Sequence, residues 1–225
     1  MAKRRRQSSA TRVARARITI SAGIGVVVAL VAIVGIGYSL GFGGADEPYQ
    51  VLEDRPDGDG DVEVVEYFSW ACIHCRNLDE LIEGWKQNLP DGVTFRRVHA
   101  SYSGPLRVLA RTHVALERHG ALDANHARIF RAIHDRNRQF LTADAVADFV
   151  AGYGIDRETF LAAAGSAATA SAVERDAAES AAIGVFAVPS LVVDGKYIIN
   201  MGVGRKQALA NLDELIEELL AQRGA

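Results

Sequence analysis

The chain contains two cysteines, and they stand three apart as Cys72-Ile73-His74-Cys75. A pair so close is no structural framework, because stabilising disulfides generally close longer loops. It suits reversible sulfur chemistry: a thiolate attacks one sulfur, and the other leaves and later returns. Cys72 stands where a strand gives way to a helix, so unpaired backbone N–H groups and the positive end of the helix dipole point at its sulfur and favour the thiolate. A well-stabilised thiolate makes the corresponding disulfide a stronger oxidant. His74, when protonated, adds positive charge beside the pair. Alone, a histidine on a first helical turn reads as a solvated surface residue; its place between the cysteines gives it a role.

Glu66 is the second residue with chemistry in it. Strand alternation puts it on one face with Val62, Val64 and Phe68, where an unpaired carboxylate is costly. Burial raises the pKa of such an acid, and an acid a few residues before the cysteines can take or return the proton of Cys75. The plainer alternative is a solvated glutamate on an edge strand. Cys72, His74 and Cys75 could also be read as copper or zinc ligands, but no fourth ligand lies nearby in the sequence. A c-type haem site is excluded at this motif because Arg76, not histidine, follows Cys75.

These residues need elements to hold them. VEVVEYF, over Val62–Phe68, reads as a strand; residues 72 to about 88 then place Leu78, Leu81, Ile82 and Trp85 at helical spacing. After the turn Pro90-Asp91-Gly92, residues 93–98 offer a second strand, which completes a βαβ unit with parallel strands and a right-handed crossover. From about 105 to 184 the chain is rich in Ala, Leu, Arg and Asp with helical periodicity, broken at Gly120, Asn137, Gly152-Tyr153-Gly154 and Gly165-Ser166. Four or five helices are expected there. Two short strands then flank Asp194-Gly195, a two-residue hairpin signal. A last helix carries Ala208, Leu209, Leu212, Leu215, Ile216 and Leu219 on one face.

Composition limits the setting. Over 225 residues the net charge is -3, but Lys3, Arg4, Arg5, Arg6, Arg12, Arg15 and Arg17 crowd the N-terminus and no acidic residue precedes Asp46. Beyond that basic arm the domain is acidic, a poor candidate for nucleic-acid binding, which needs clustered Lys and Arg. Residues 18–42 carry no charge over a length that crosses a hydrocarbon core as a helix, and exceed the apolar region of a cleaved signal peptide. The expected organisation is a basic cytoplasmic arm at 1–17, a single transmembrane anchor at 18–42, a Gly/Pro/Asp-rich linker at 43–61 and one domain at 62–225 beyond the membrane.

The stretch Glu66-Tyr67-Phe68-Ser69-Trp70-Ala71-Cys72-Ile73-His74-Cys75 resembles the active-site segment of DsbA-like proteins, and Val188-Pro189-Ser190 with Val193-Asp194-Gly195-Lys196-Tyr197 resembles their cis-proline loop and hairpin. The resemblance implies an α/β, thioredoxin-like fold (βαβ … ββα) with a helical insertion at about 105–184. It implies that Cys72 is the exposed, attacked cysteine, Cys75 its buried partner and Glu66 the buried acid. Val188 and Pro189 would face the disulfide and bind an extended substrate segment by strand addition. Without the resemblance, Pro189 reads as a strand-opening proline with a trans bond.

The implied activity is extracytoplasmic thiol:disulfide exchange, with the Cys72–Cys75 disulfide donated to reduced or misoxidised exported proteins. Reoxidation would fall to a quinone-linked membrane oxidase of the DsbB or VKOR-like type, and no metal or organic cofactor is needed. A reductase or isomerase of the same fold, and a chaperone-like module that holds unfolded exported chains, are the alternatives. Ile73 departs from the proline at the same place in the best-known members. His99, His113, His119, His126 and His134 read as surface or helix-face residues.

Overall fold

A mixed five-stranded sheet carries the fold. Its strands are β1 (Tyr49–Val51), β2 (Val62–Phe68), β3 (Val93–His99), β4 (Ser190–Val193) and β5 (Tyr197–Ile199), in spatial order β1-β5-β4-β2-β3. The structure, a computed structural model, describes residues 47–56, 58–101 and 104–224. The expected arm at 1–17 and membrane span at 18–42 lie outside the described residues. Among the described residues, no helix is long and apolar enough to cross a membrane.

Strands β2 and β3 are parallel, and helix α1 (Ile73–Lys86) crosses between them, so the βαβ unit forms as expected. Strand β4 lies antiparallel on the other side of β2, with Tyr67 opposite Ser190. That register brings the start of β4 beside the end of β2, and so places the segment before Ser190 next to the cysteines. The hairpin from β4 to β5 turns at Asp194 and Gly195, whose φ values of 53° and 63° are those of a primed two-residue turn. Strand β1 lies in the stretch expected as linker and pairs with β5, its Tyr49 ring edge-on to Tyr197 at 5.5 Å. Three residues flanked by Pro48 and acidic turns carry too little pattern to announce a strand.

Five helices make the insertion: α2 (Gly104–Arg118), α3 (Leu122–His134), α4 (Ala143–Val150), α5 (Arg157–Gly165) and α6 (Ala167–Ala182). The last three each begin at a side-chain cap, from Thr142, Asp156 and Ser166, that satisfies an otherwise free backbone N–H. Helix α7 (Arg205–Arg223) closes the chain and buries the expected face from Ala208 to Leu219.

Alternation along β2 divides the core. Val62 and Val64 pack with Leu78 and Ile82 of α1 and with Leu212 and Leu215 of α7. Val65 and Tyr67 point the other way, against Ile183 and Val185. Phe68 and Trp70 run on from β2 into the insertion, where they pack with Cys75, Leu116, Ile129 and Phe130. The cysteine motif therefore sits on the seam between sheet and insertion.

Candidate functional site

Cys72 is the N-cap of α1. Its backbone is extended (φ -94°, ψ 119°), and its Sγ accepts the backbone N–H of Cys75 at 3.4 Å. The sulfur thus takes the place of a capping oxygen, with the helix dipole directed at it, as expected from the strand-to-helix boundary. Cys72 is partly exposed, whereas Cys75, one turn on, is fully buried. Burial pushes the Cys75 thiol well above its ordinary value; a backbone hydrogen bond with Ser69 opposes that rise, and Cys72 and Glu66 add to it.

The peptide bond between Val188 and Pro189 is cis. Val188 presents its carbonyl oxygen to Cys72, whose thiol donates to it at 3.5 Å. His74 is exposed and lines a groove of about 380 Å³ with Val188, Pro189, Met201, Gly202, Gly204 and Arg205. Ile73, at 49% exposure, and Phe186, at 75%, are large apolar side chains left open in the segments that carry Cys72 and Val188. Strands, cap and loop thus bring Cys72, His74, Val188 and Pro189 to one surface and leave Cys75 behind it.

Glu66 lies within the sheet, not on an edge, and its side chain is 2% exposed. Parallel register sets it opposite Arg97 of β3, whose Nε donates to its carboxylate at 2.7 Å. Glu66 is buried, as expected, but it is paired. Burial raises its pKa, and the Arg97 charge and hydrogen bond only partly offset that. The same guanidinium also donates to Asp79 at 3.2 Å and to Glu83 at 2.7 Å, so one cation serves three carboxylates.

Several residues that reading the sequence did not single out complete the surroundings. His126, on α3, shares a hydrogen bond with Asp79 at 2.9 Å. His99 and His134 hold the Trp70 peptide two residues before Cys72. The Trp70 N–H donates to His99 Nε2 at 3.1 Å, and His134 Nε2 donates to the Trp70 carbonyl at 2.9 Å. His99 Nδ1 donates to the Ala100 carbonyl, which leaves Nε2 as the acceptor. Burial, the largest influence, keeps His99 neutral by lowering its pKa to about 3, and holds His113 well below its ordinary value. Among the five histidines read as surface or helix-face residues, His99, His113 and His126 are buried.

Comparison with known proteins agrees with this fold. Residues 80–217 match the family described as DSBA-like thioredoxin domain. The thiol:disulfide interchange protein DsbA of Azotobacter vinelandii is 37% identical over 161 residues, covering 71% of this chain and 75% of that protein. The protein of the same name from Pseudomonas aeruginosa is 35% identical, over 71% and 76%. Among solved structures, Pseudomonas aeruginosa DsbA superposes with a TM-score of 0.74 at 33% identity, covering 80% of this chain and 95% of that one. The oxidoreductase DsbA from Xylella fastidiosa gives 0.72 at 28% identity, over 80% and 97%.

Proposed function

Because the chain belongs to the DsbA-like thioredoxin-domain family and is a protein thiol:disulfide oxidoreductase, we propose that it donates the Cys72–Cys75 disulfide to exported proteins, held by an N-terminal anchor on the outer side of the cytoplasmic membrane. The observation that carries this reading is the position of Cys72 Sγ, on the helix cap and against Val188 O, with Cys75 buried behind it. An incoming thiolate meets Cys72 and not Cys75.

The reaction follows from that asymmetry. A substrate thiolate attacks Cys72 Sγ; the Cys72–Cys75 bond breaks and a substrate–Cys72 bond forms. Cys75 leaves as a thiolate in a buried place that disfavours charge, so it takes a proton, which Glu66 supplies as the nearby buried acid. A second substrate thiolate then attacks the substrate sulfur of the mixed disulfide and expels Cys72 as a thiolate. The Cys75 N–H and the helix dipole stabilise that departing charge. The substrate gains a disulfide, losing two electrons and two protons, and the enzyme is left as a dithiol.

Val188 and Pro189 bind the substrate backbone. The Val188 carbonyl that accepts from Cys72 is a free strand-type acceptor once the disulfide forms, and an extended peptide adds there as a short strand. His74 lines the groove that the peptide would cross. The dithiol is returned to the disulfide by a quinone-linked membrane oxidase of the DsbB or VKOR-like type. The uncharged stretch 18–42 after the basic arm 1–17 supports the anchor, and the few residues between it and β1 link it to the domain.

The test is to mix the disulfide form with a reduced, unfolded test protein and follow thiol loss in the substrate. Stoichiometric transfer, abolished by Cys72→Ser, supports donation. Binding of the unfolded chain without thiol loss, unchanged by Cys72→Ser, supports a holding role and overturns it.

A further inference from the structure

The deepest charged cluster in the described part of the molecule has two carboxylates, Glu66 and Asp79, for one guanidinium, Arg97. The side chains of all three are 2–6% exposed. Glu83, the third partner of Arg97, is nearly half exposed and has Lys86 beside it at 3.2 Å, so water and Lys86 serve it. Two buried negative charges against one positive charge are costly, and such a cluster closes its balance with a proton. Two groups are placed to hold that proton. One is Glu66 itself. The other is His126, whose ring is 6% exposed and lies 2.9 Å from the Asp79 oxygen that Arg97 also touches.

We propose that Glu66 and His126 share one proton across Arg97 and Asp79, so that His126, reaching in from the helical insertion, is a positioning residue that decides when Glu66 is ionised. With the proton on His126, Asp79 has its own cation and Arg97 is left to Glu66. With His126 neutral, Arg97 is divided between two carboxylates and Glu66 keeps the proton. The two arrangements carry the same net charge. When Glu66 gives its proton to the Cys75 thiolate, uptake of one proton from solvent at His126 restores that balance.

The surroundings of His126 leave one of its ring nitrogens, Nδ1, without a hydrogen-bond partner among the described residues. The rings of Phe68, Trp70 and Phe130 surround His126 at centroid distances of 5.1–5.7 Å. Aromatic faces tolerate a cation but fix no N–H direction. The other groups within its field are Asp79 on α1, Glu66 on β2, His99 on β3 and His113 on α2, and Arg97 on β3 meets it at the shared Asp79 oxygen. Arg76, paired with Glu80, adds to the field at Asp79. His99 and His113 stay neutral and Arg97 stays charged, so none of these three competes for the proton.

This inference rests on the role proposed for Glu66, and two measurements separate their failures. In the full-length protein in detergent, the rate at which a small thiol reduces the disulfide form is followed from pH 4 to 9. His126→Gln, which keeps a donor to Asp79 but holds no proton, is expected to move the Glu66-dependent inflection up by about one pH unit, a tenfold change. In a Glu66→Gln background it should move nothing. By reciprocity of linked binding, Glu66→Gln should make the His126 ring, observed by NMR, lose its proton at lower pH than in the unaltered protein. A shift of the rate profile that persists in the Glu66→Gln background, or a folded His126→Gln protein with an unmoved inflection, overturns the sharing. Should Glu66→Gln leave the rate profile as it is, the catalytic role of Glu66 fails instead. The NMR result then decides the sharing alone, as it does if His126→Gln does not fold: a displaced His126 titration supports it and an undisplaced one overturns it.

Discussion

The backbone N–H of Trp70 donates to Nε2 of His99 at 3.1 Å, and that bond requires the neutral ring. His99 therefore couples the shape of the loop before Cys72 to pH. Its folded-state pKa of about 3 lies below the ordinary 6.5, so the unfolded chain binds the extra proton between those values. The stability that His99 contributes is complete above about pH 6.5 and is lost as pH falls toward 3. Each such histidine costs ~1.4 kcal/mol per pH unit inside that window. Urea unfolding at pH 7, 5.5 and 4.5 should show His99→Gln losing less stability on acidification than the unaltered protein, by about one proton in slope. Equal slopes would remove His99 as the source of the pH coupling.

Among the described residues, Arg97 is the only guanidinium bonded to two deeply buried carboxylates, and its removal leaves Glu66 without a cation and Asp79 with His126 alone. Arg97→Met should destabilise the fold by about 3–5 kcal/mol at neutral pH, the range for breaking a buried ion pair from one side. Adding Glu66→Gln to Arg97→Met should recover part of that loss. Denaturant midpoints of the two variants test this, and a loss under about 1 kcal/mol for Arg97→Met would mean that the carboxylates find other partners.

The two cysteines are not interchangeable. With Cys72 partly exposed and Cys75 buried, Cys75→Ala should leave a thiol that captures substrates as stable mixed disulfides, because the resolving sulfur is gone. Cys72→Ser should capture none. Non-reducing gels after incubation with a disulfide-containing peptide distinguish them, and equal capture by the two variants would contradict the geometry.

Ile73 and Phe186 stand open in the segments that carry Cys72 and Val188. If unfolded chains cover them, each buries enough apolar surface to contribute on the order of 1 kcal/mol, about fivefold in affinity. Phe186→Ser and Ile73→Ser should raise KM for a reduced peptide several-fold. An unchanged KM in both would place substrate contact elsewhere.

The anchor has its own test. The full chain should sediment with membranes and resist extraction by salt, whereas a chain beginning at Gly44 should remain in the soluble fraction. Recovery of the full chain as a soluble protein would exclude a membrane-spanning 18–42.

Much of the site was legible because its parts are local. Cys72, Cys75 and His74 lie within one helical turn, and the strand and helix that present them follow from periodicity within about 25 residues. The Asp194-Gly195 turn and the apolar face of α7 were equally local, and both formed where expected. The cis bond at Pro189 was expected from family resemblance alone, since neither spacing nor composition indicates it. The charge network was not legible, because it joins residues across the fold: Glu66 to Arg97 across 31 positions and Asp79 to His126 across 47. A register between β2 and β3 would have paired Glu66 with Arg97, but nothing in the sequence states which face of α3 looks inward. The histidines read as surface or helix-face residues for the same reason. Trp70 and Phe68 show in retrospect why three of them are buried, as each packs against the rings of His99, His113 and His126.

Donation of the disulfide is tested most directly by the equilibrium between the Cys72–Cys75 pair and glutathione, followed by Trp70 fluorescence. Trp70 is fully buried in the same cluster as Cys75 and should report the change. A reduction potential well above the glutathione couple is the predicted result, because the helix cap favours the departing Cys72 thiolate. A potential near that of reducing thioredoxins would contradict donation and make the protein a reductase on the same fold.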